Sequence, residues 1–370
     1  MRLLNLMEGG VPGGFDKQGR TFVAIKSHQK QAKELGAFRH SADIKSVLNG
    51  QRRSEYDVSN KVCVSDTSQV CEAVRQLYSG SVSSSKFQTI ENGFEIFDAL
   101  YDGRNSSYHR CETDYHNKQH VLDVTLATAR LIWGYQQQSD SLSCLSDNDV
   151  TTGVLTALFH DVGYLRGKSE TRVEHGAEFT KIHVSRSAEF LSDILKTLGM
   201  ASHSATAKGL VHFTGYEKAI EDIPISNSRL RNLGYLIGTA DVIAQMADRA
   251  YLEKCQNFLY PEFQLGGMCV QKDSAGREQV IYSSSWELMK KTPAFMSSVI
   301  QHRLSDAFDS SYRFAEACFQ GTNLYLLNIN NNFSYLNEQL ESVSFIKQEN
   351  KTPSLLLRRK IKGASGSWKS

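Results

Sequence analysis

The sequence predicts an all-α protein with at most one small β-hairpin, and three observations carry the prediction. Only five of the 370 residues are proline, apolar residues recur mostly at three- and four-residue spacing, and strand-like runs are scarce. In RSAEFLSDILKTLG (186–199), Ala188, Leu191, Leu195 and Leu198 share one helical face and Gly199 supplies a stop. Over 230–252, Leu233, Leu236, Ile237, Ala240, Ile243 and Ala247 recur at the same period. The best strand candidate is TFVAI at 21–25, and QVIYS at 279–283, after the turn-like DSAGRE, is a weaker one.

Helical patterning runs almost unbroken from about 88 to about 345, with a polar interruption at 136–149. We therefore divide the chain into an N-terminal segment at 1–87, a helical domain at 88–345 and a tail at 346–370. The first segment is more polar and ends in the serine-rich SGSVSSSK (79–86), which reads as a linker or surface loop. The last twenty residues hold six basic residues and no acidic one; a solvated, flexible tail is preferred over a nucleic-acid or anionic-membrane contact.

A formal net charge of +2 is too small to indicate a polyanionic partner, and a nucleic-acid partner is not expected. The seven cysteines are scattered and show no CxxC pair, which fits small apolar groups in a reduced, cytoplasmic protein. The apolar start MRLLNLMEGG is too short for a signal segment, and no apolar run reaches the length of a membrane span. The sequence does not specify an oligomeric state.

The chemistry concentrates in three places. In TALFHDVGY (156–164), an apolar helical stretch ends in His160-Asp161, one neutral nitrogen and one anionic oxygen for a single cation. Gly163 then lets the chain turn. In YHNKQHVLDV (115–124), His116 and His120 are four apart, so on a helix beginning near Asn117 they face the same way, with Asp123 bordering that face. In LGYLIGTADVIAQMA (233–247), Asp241 stands on a face patterned for burial, where an uncompensated acid costs several kcal/mol. Asp248, beside Arg249, is expected to be a salt-bridged surface acid. The competing reading of His116 and His120 is a partly exposed polar face, and that of Asp161 is a carboxylate held by backbone amides.

The order His120, His160-Asp161, Asp241 resembles the HD superfamily of metal-dependent phosphohydrolases. YHNKQHVLDV is similar, more specifically, to the YHNxxHAxDV signature of class I 3′,5′-cyclic nucleotide phosphodiesterases. The resemblance covers about 88–345 and extends more loosely into DRAYLEKCQNFLYPEF (248–263), which is similar to bacterial members. It implies an HD/phosphodiesterase-type helical bundle. It also implies that His120, His160, Asp161 and Asp241 hold one divalent ion, with Asp161 able to bridge to a second. A hydroxide shared by the two ions would attack phosphorus, and His116 would protonate the leaving alkoxide. His116 then needs a carboxylate partner, which the sequence does not name. The expected cofactors are one or two divalent ions among Mn, Fe, Zn, Co and Mg, and the expected partner is a small-molecule nucleotide or another phosphate ester.

The family continues HDxxH, but here the position holds Tyr164. His183, ahead of an amphipathic helix, is the first choice for the missing second-metal ligand; His212 is the second choice and His175 a competitor. No base-reading residue is assigned: Gln301 and Gln320 lie near Phe308, Phe314 and Phe319, whose spacing suits a core. Two alternatives stand beside the phosphodiesterase reading. One is an HD hydrolase of a nucleoside monophosphate or guanosine polyphosphate, and the other is a non-catalytic HD sensor that binds nucleotide or metal.

Overall fold

The computed structural model describes residues 53–139, 143–273 and 276–348. Its helices are α1 (Thr67–Tyr78), α2 (Ser84–Tyr101), α3 (Lys118–Gln138), α4 (Asp147–Leu158), α5 (His183–Thr197), α6 (Ser204–Leu210), α7 (Ser228–Ala247), α8 (Tyr251–Lys254), α9 (Tyr260–Leu265), α10 (Ser285–Ser298) and α11 (Leu324–Gln348). Short 3-10 turns and two π-helical stretches, Cys255–Leu259 and Val299–Ala307, join some of them. Among the described residues the sheet is one antiparallel hairpin, Val270–Lys272 with Glu278–Val280, in the register Val270 to Val280. The fold is all-α with a small hairpin, as the spacing predicts.

Local chemistry sets the helix starts. Asp66 caps α1 by accepting from Ser68 and Gln69 amides, Asn117 caps α3 through the His120 amide, and Ser146 with Asp149 forms a capping box on α4. Helix α3 is buried on nearly every side and is the axis of the molecule, packed by α1, α4, α7 and the 3-10 run Ser311–Phe319. Gly134 permits the last of these contacts, because a Cβ there would lie 1.9 Å from the Phe314 carbonyl oxygen. Helices α5 and α7 bury the faces that their sequences mark: Ala188, Leu191 and Leu195 on the first, Leu233, Leu236, Ile237, Ala240, Ile243 and Ala247 on the second. Gly199, at φ +73°, ends the first.

Three expectations need correction. The boundary at 87/88 falls inside α2, and Val58, Val64, Val70, Val74 and Tyr78 share one core with α3 and α4, so the described part of the N-terminal segment belongs to the bundle. The physical link is the buried pair Asp57–Arg130, at 2.5 Å. Of the serine-rich stretch, only 79–83 is a connection, and 84–86 is the first turn of α2. QVIYS is a strand only as far as Val280; Ile281 and Tyr282 turn inward into a small satellite core with Phe263, Met268, Cys269 and Leu288. The strand expected at 21–25 and the basic tail beyond 348 lie outside the described residues. All seven cysteines carry free thiols. Among the described residues no helix is long and apolar enough to cross a membrane.

Candidate metal centre

Three buried side chains, His120, His160 and Asp241, bring one donor atom each within 4.8 Å of one another and form a group that could hold a metal ion. His120 comes from the first turn of α3, His160 from just beyond the end of α4, and Asp241 from the middle of α7, so the packing of these helices assembles the group. Asp161 completes it. Its Oδ2 lies 3.4 Å from His120 Nε2 and 3.2 Å from His160 Nε2, while Asp241 Oδ1 lies 3.5 and 3.7 Å from the same two nitrogens. Ligands about 2.1 Å from a common ion stand about 3.0–3.5 Å apart when adjacent in octahedral or tetrahedral geometry, and the four donors are close to that spacing.

The hydrogen bonding supports the fit. His160 Nδ1 lies 2.8 Å from the Ala157 carbonyl, to which it donates, leaving Nε2 with a lone pair. That Nε2 and Asp161 Oδ2 are both buried without a hydrogen-bond partner, the arrangement a cation would satisfy. Burial opposes charge on His120, but the Asp161 and Asp241 carboxylates beside it more than offset it and raise the imidazole to about 10. Burial works against the Asp161 carboxylate too, yet His160 and His120 hold it well below the usual carboxylate range.

The second oxygen of Asp161 faces elsewhere. Oδ1 lies 3.6 Å from Nε2 of His183, the first residue of α5, and His183 Nδ1 donates to the Thr180 carbonyl at 2.7 Å. Burial lowers the His183 pKa despite the pull of Asp161, and with Nδ1 engaged by the Thr180 carbonyl its Nε2 is the nitrogen that faces the carboxylate. The other two histidines are employed differently: His175 Nδ1 accepts from the Ala177 amide and caps a 3-10 turn, and His212 Nε2 meets Lys218 Nζ at 2.9 Å. If Asp161 Oδ1 and His183 Nε2 hold a second ion, His183→Ala should weaken its binding by about 100-fold while His175→Ala leaves it unchanged, as read by calorimetric titration of the metal-stripped protein.

Gly163 makes the approach of α5 possible. A Cβ there would sit 2.0 Å from the His183 carbonyl oxygen and 2.8 Å from the Ser187 amide, and the Gly163 amide itself donates to Ser187 Oγ.

His116 stands apart from the sequence expectation in its backbone. Helix α3 begins at Lys118 with Asn117 as its cap, so His116 belongs to the preceding loop and not to the helix. Its ring still reaches the group, 5.7 Å from the His120 ring. The carboxylate partner that the sequence did not name is Glu262, on α9. Glu262 Oε2 lies 2.6 Å from His116 Nδ1, and its Oε1 accepts from the Tyr115 amide. At 3 % exposure Glu262 is buried, and the signal in YPEF, an acid between two aromatic residues, is the one that marked Asp241.

Other residues are placed as follows. Asp123 is buried beside a small polar pocket shared with His120, Gln119 and Asp248, behind the group. Asp248 is buried, not a surface acid; its carboxylate pairs with Lys254 at 2.6 Å and accepts from the Ala250 amide, because α7 ends there and the chain turns inward. Phe308 and Phe314 are core, while Gln301 is exposed beside Asp306.

A cavity of about 310 Å³ opens over this group. His116, Asp161, His183 and Asp241 form its polar floor, and Phe263, Met246, Phe295 and Val299 are among its apolar walls. Gln245, also in the wall, accepts from the Tyr115 hydroxyl and donates to the Asp241 carbonyl, both at 3.0 Å. No family model and no curated protein matches this chain.

Proposed function

We propose that the chain is a divalent-metal-dependent phosphohydrolase, nearest in type to the class I 3′,5′-cyclic nucleotide phosphodiesterases of the HD superfamily. The observation that carries the reading is the convergence of the His120, His160, Asp161 and Asp241 donors with the His116–Glu262 pair at the floor of one cavity, whose lining includes His116, Asp161 and Asp241. A set of two imidazoles and two carboxylates suits a borderline divalent ion such as Mn²⁺, Fe²⁺, Co²⁺ or Zn²⁺, and His183 with Asp161 Oδ1 offers a more open second position that also suits Mg²⁺.

Ions bound there would supply charge neutralisation for the phosphoryl oxygens and an activated water. Asp161 would serve both positions through its two oxygens. His116 would deliver the proton to the leaving oxygen: Nδ1–H is engaged by Glu262 at 2.6 Å, which orients the ring, and Nε2 is left to carry the transferable proton. Most of the cavity lining is apolar and can exclude water from the face of a base or another flat group. The free thiols suit a reducing, cytoplasmic setting.

The test is a hydrolysis panel of cyclic and linear nucleotides with the metal-stripped full chain reloaded with Mn²⁺ or Mg²⁺. We expect turnover of a 3′,5′-cyclic phosphodiester that falls by about 10²–10⁴-fold in His116→Ala with metal content unchanged. Turnover confined to nucleoside monophosphates or guanosine polyphosphates would move the chain to the other HD hydrolases. A metal-loaded protein that hydrolyses nothing in the panel would make it a binding module.

A further inference from the structure

The cavity floor contains an aromatic arrangement that neither the ligand set nor the proton donor explains. Tyr164, at the end of the 3-10 turn Val162–Tyr164, is stacked on His116, with centroids 4.6 Å apart and planes 16° apart. It is stacked equally on His183, at 4.4 Å and 19°. The two imidazoles are themselves 6.2 Å apart, too close to sandwich the phenol ring, so they lie side by side against one face of it.

Three separate segments supply these rings: the loop before α3, the turn after α4, and the first residue of α5. Thr180 steadies the last of them. Its hydroxyl donates to the Ala177 carbonyl, and its carbonyl accepts from His183 Nδ1. The phenol ring is 2 % exposed, so the surrounding core holds it in place while Thr180 fixes one of the rings that rest on it.

We propose that Tyr164 is a positioning residue, a platform that sets the ring planes of His116 and His183 together and so couples the proton donor to the second ion position. This rests on the reading of His116 and His183 given above. The physical reason is one of area and rigidity. A six-membered ring buried to 2 % exposure offers a face broad enough for two imidazoles, and offset stacking fixes their planes without competing for either Nε2. A histidine at this position would be smaller and would add a third imidazole beside the carboxylates.

Three variants test it. Tyr164→Phe keeps the face and is expected to stay within about threefold of the parent in every measurement. Tyr164→Leu removes the face, and we expect second-ion binding, titrated with Mn²⁺ alone on the stripped protein, to weaken about tenfold with the first ion retained. The same variant should shift the His116 and His183 imidazole signals in ¹⁵N NMR, and kcat should fall about tenfold or more while KM changes by less than about threefold.

A Tyr164→Leu protein with parental second-ion affinity and unmoved imidazole signals would overturn the proposal. So would a Tyr164→Phe protein as impaired as Tyr164→Leu. If Tyr164→Leu does not fold, Tyr164→Met, which fills similar space without a ring face or a histidine donor, should still weaken the second ion at least about threefold, and parental binding there would overturn the idea. Ion titration and NMR need no turnover, so a protein that hydrolyses nothing but shows both changes would reject the hydrolase reading and keep the platform.

Discussion

If the chain is the two-ion hydrolase proposed above, Asp161→Ala removes both ions and lowers turnover by at least about a thousandfold, a loss of about 4 kcal/mol in transition-state stabilisation. Asp161 is 2 % exposed and stands where the two halves of the site meet. Its Oδ2 closes the set with His120, His160 and Asp241, and its Oδ1 faces His183. No neighbouring carboxylate replaces it, because Asp241 already serves His120 and His160 through Oδ1 and Glu262 is committed to His116 and the Tyr115 amide. Metal analysis of the dialysed protein beside its turnover checks this. His116→Ala should separate from it by keeping its ions, and an Asp161→Ala protein that retains a full complement would refute the ligand assignment.

Asp57→Ala is expected to cost about 3–5 kcal/mol of stability, the penalty for leaving one partner of a buried ion pair alone. Asp57 is fully buried and receives the Arg130 guanidinium at 2.5 Å, the Lys61 and Val62 amides at 2.9 Å and the Ser59 hydroxyl at 2.7 Å. Arg130 in turn donates to the Tyr325 hydroxyl at 3.0 Å, so the pair joins the N-terminal loop, α3 and α11. Burial alone would raise the carboxyl pKa, but Arg130 and the amide and hydroxyl donors outweigh it and hold the group at about 2, below its ordinary 3.8.

The sign follows from that depression. Above pH 3.8 the pair contributes its full stabilisation, and as pH falls from about 4 to 2 the carboxylate is protonated and about 2 kcal/mol is lost. Urea unfolding at pH 7 and at pH 2.5 should show the parent losing this increment and Asp57→Ala losing correspondingly less. Equal acid sensitivity in the two proteins would count against the pair as the cause.

Much of the site was legible because its chemistry is local. His160-Asp161 at the end of an apolar helix, His120 one helical turn into another, and Asp241 in the middle of a third are each improbable by burial alone, so residue type and period pointed to a shared ligand. His183 stands ahead of His175 and His212 on weaker grounds, its place before an amphipathic helix. The structure brings it to Asp161 because the Gly163 turn lets the start of α5 approach.

What escaped the sequence depends on long-range partners. Glu262 is separated from His116 by 146 residues, and no periodicity relates a loop before α3 to a turn of α9. Asp248 read as a surface acid because Arg249 follows it, whereas the fold turns it inward to Lys254. The segment before α2 reads as separate because it is polar and serine-rich, yet Val58, Val64, Val70, Val74 and Tyr78 of its described part belong to the shared core.

The sequence by itself determined the helical class, the faces that pack, and which side chains are chemically able to bind a cation, because these depend on composition and on a 3.6-residue period. Tertiary structure alone decided which carboxylate steadies His116, which histidine meets the second oxygen of Asp161, and that Tyr164 lies beneath two imidazoles where a missing ligand was expected. These are distances between segments, set by how α3, α5, α7 and α9 pack, and only the closed core specifies them.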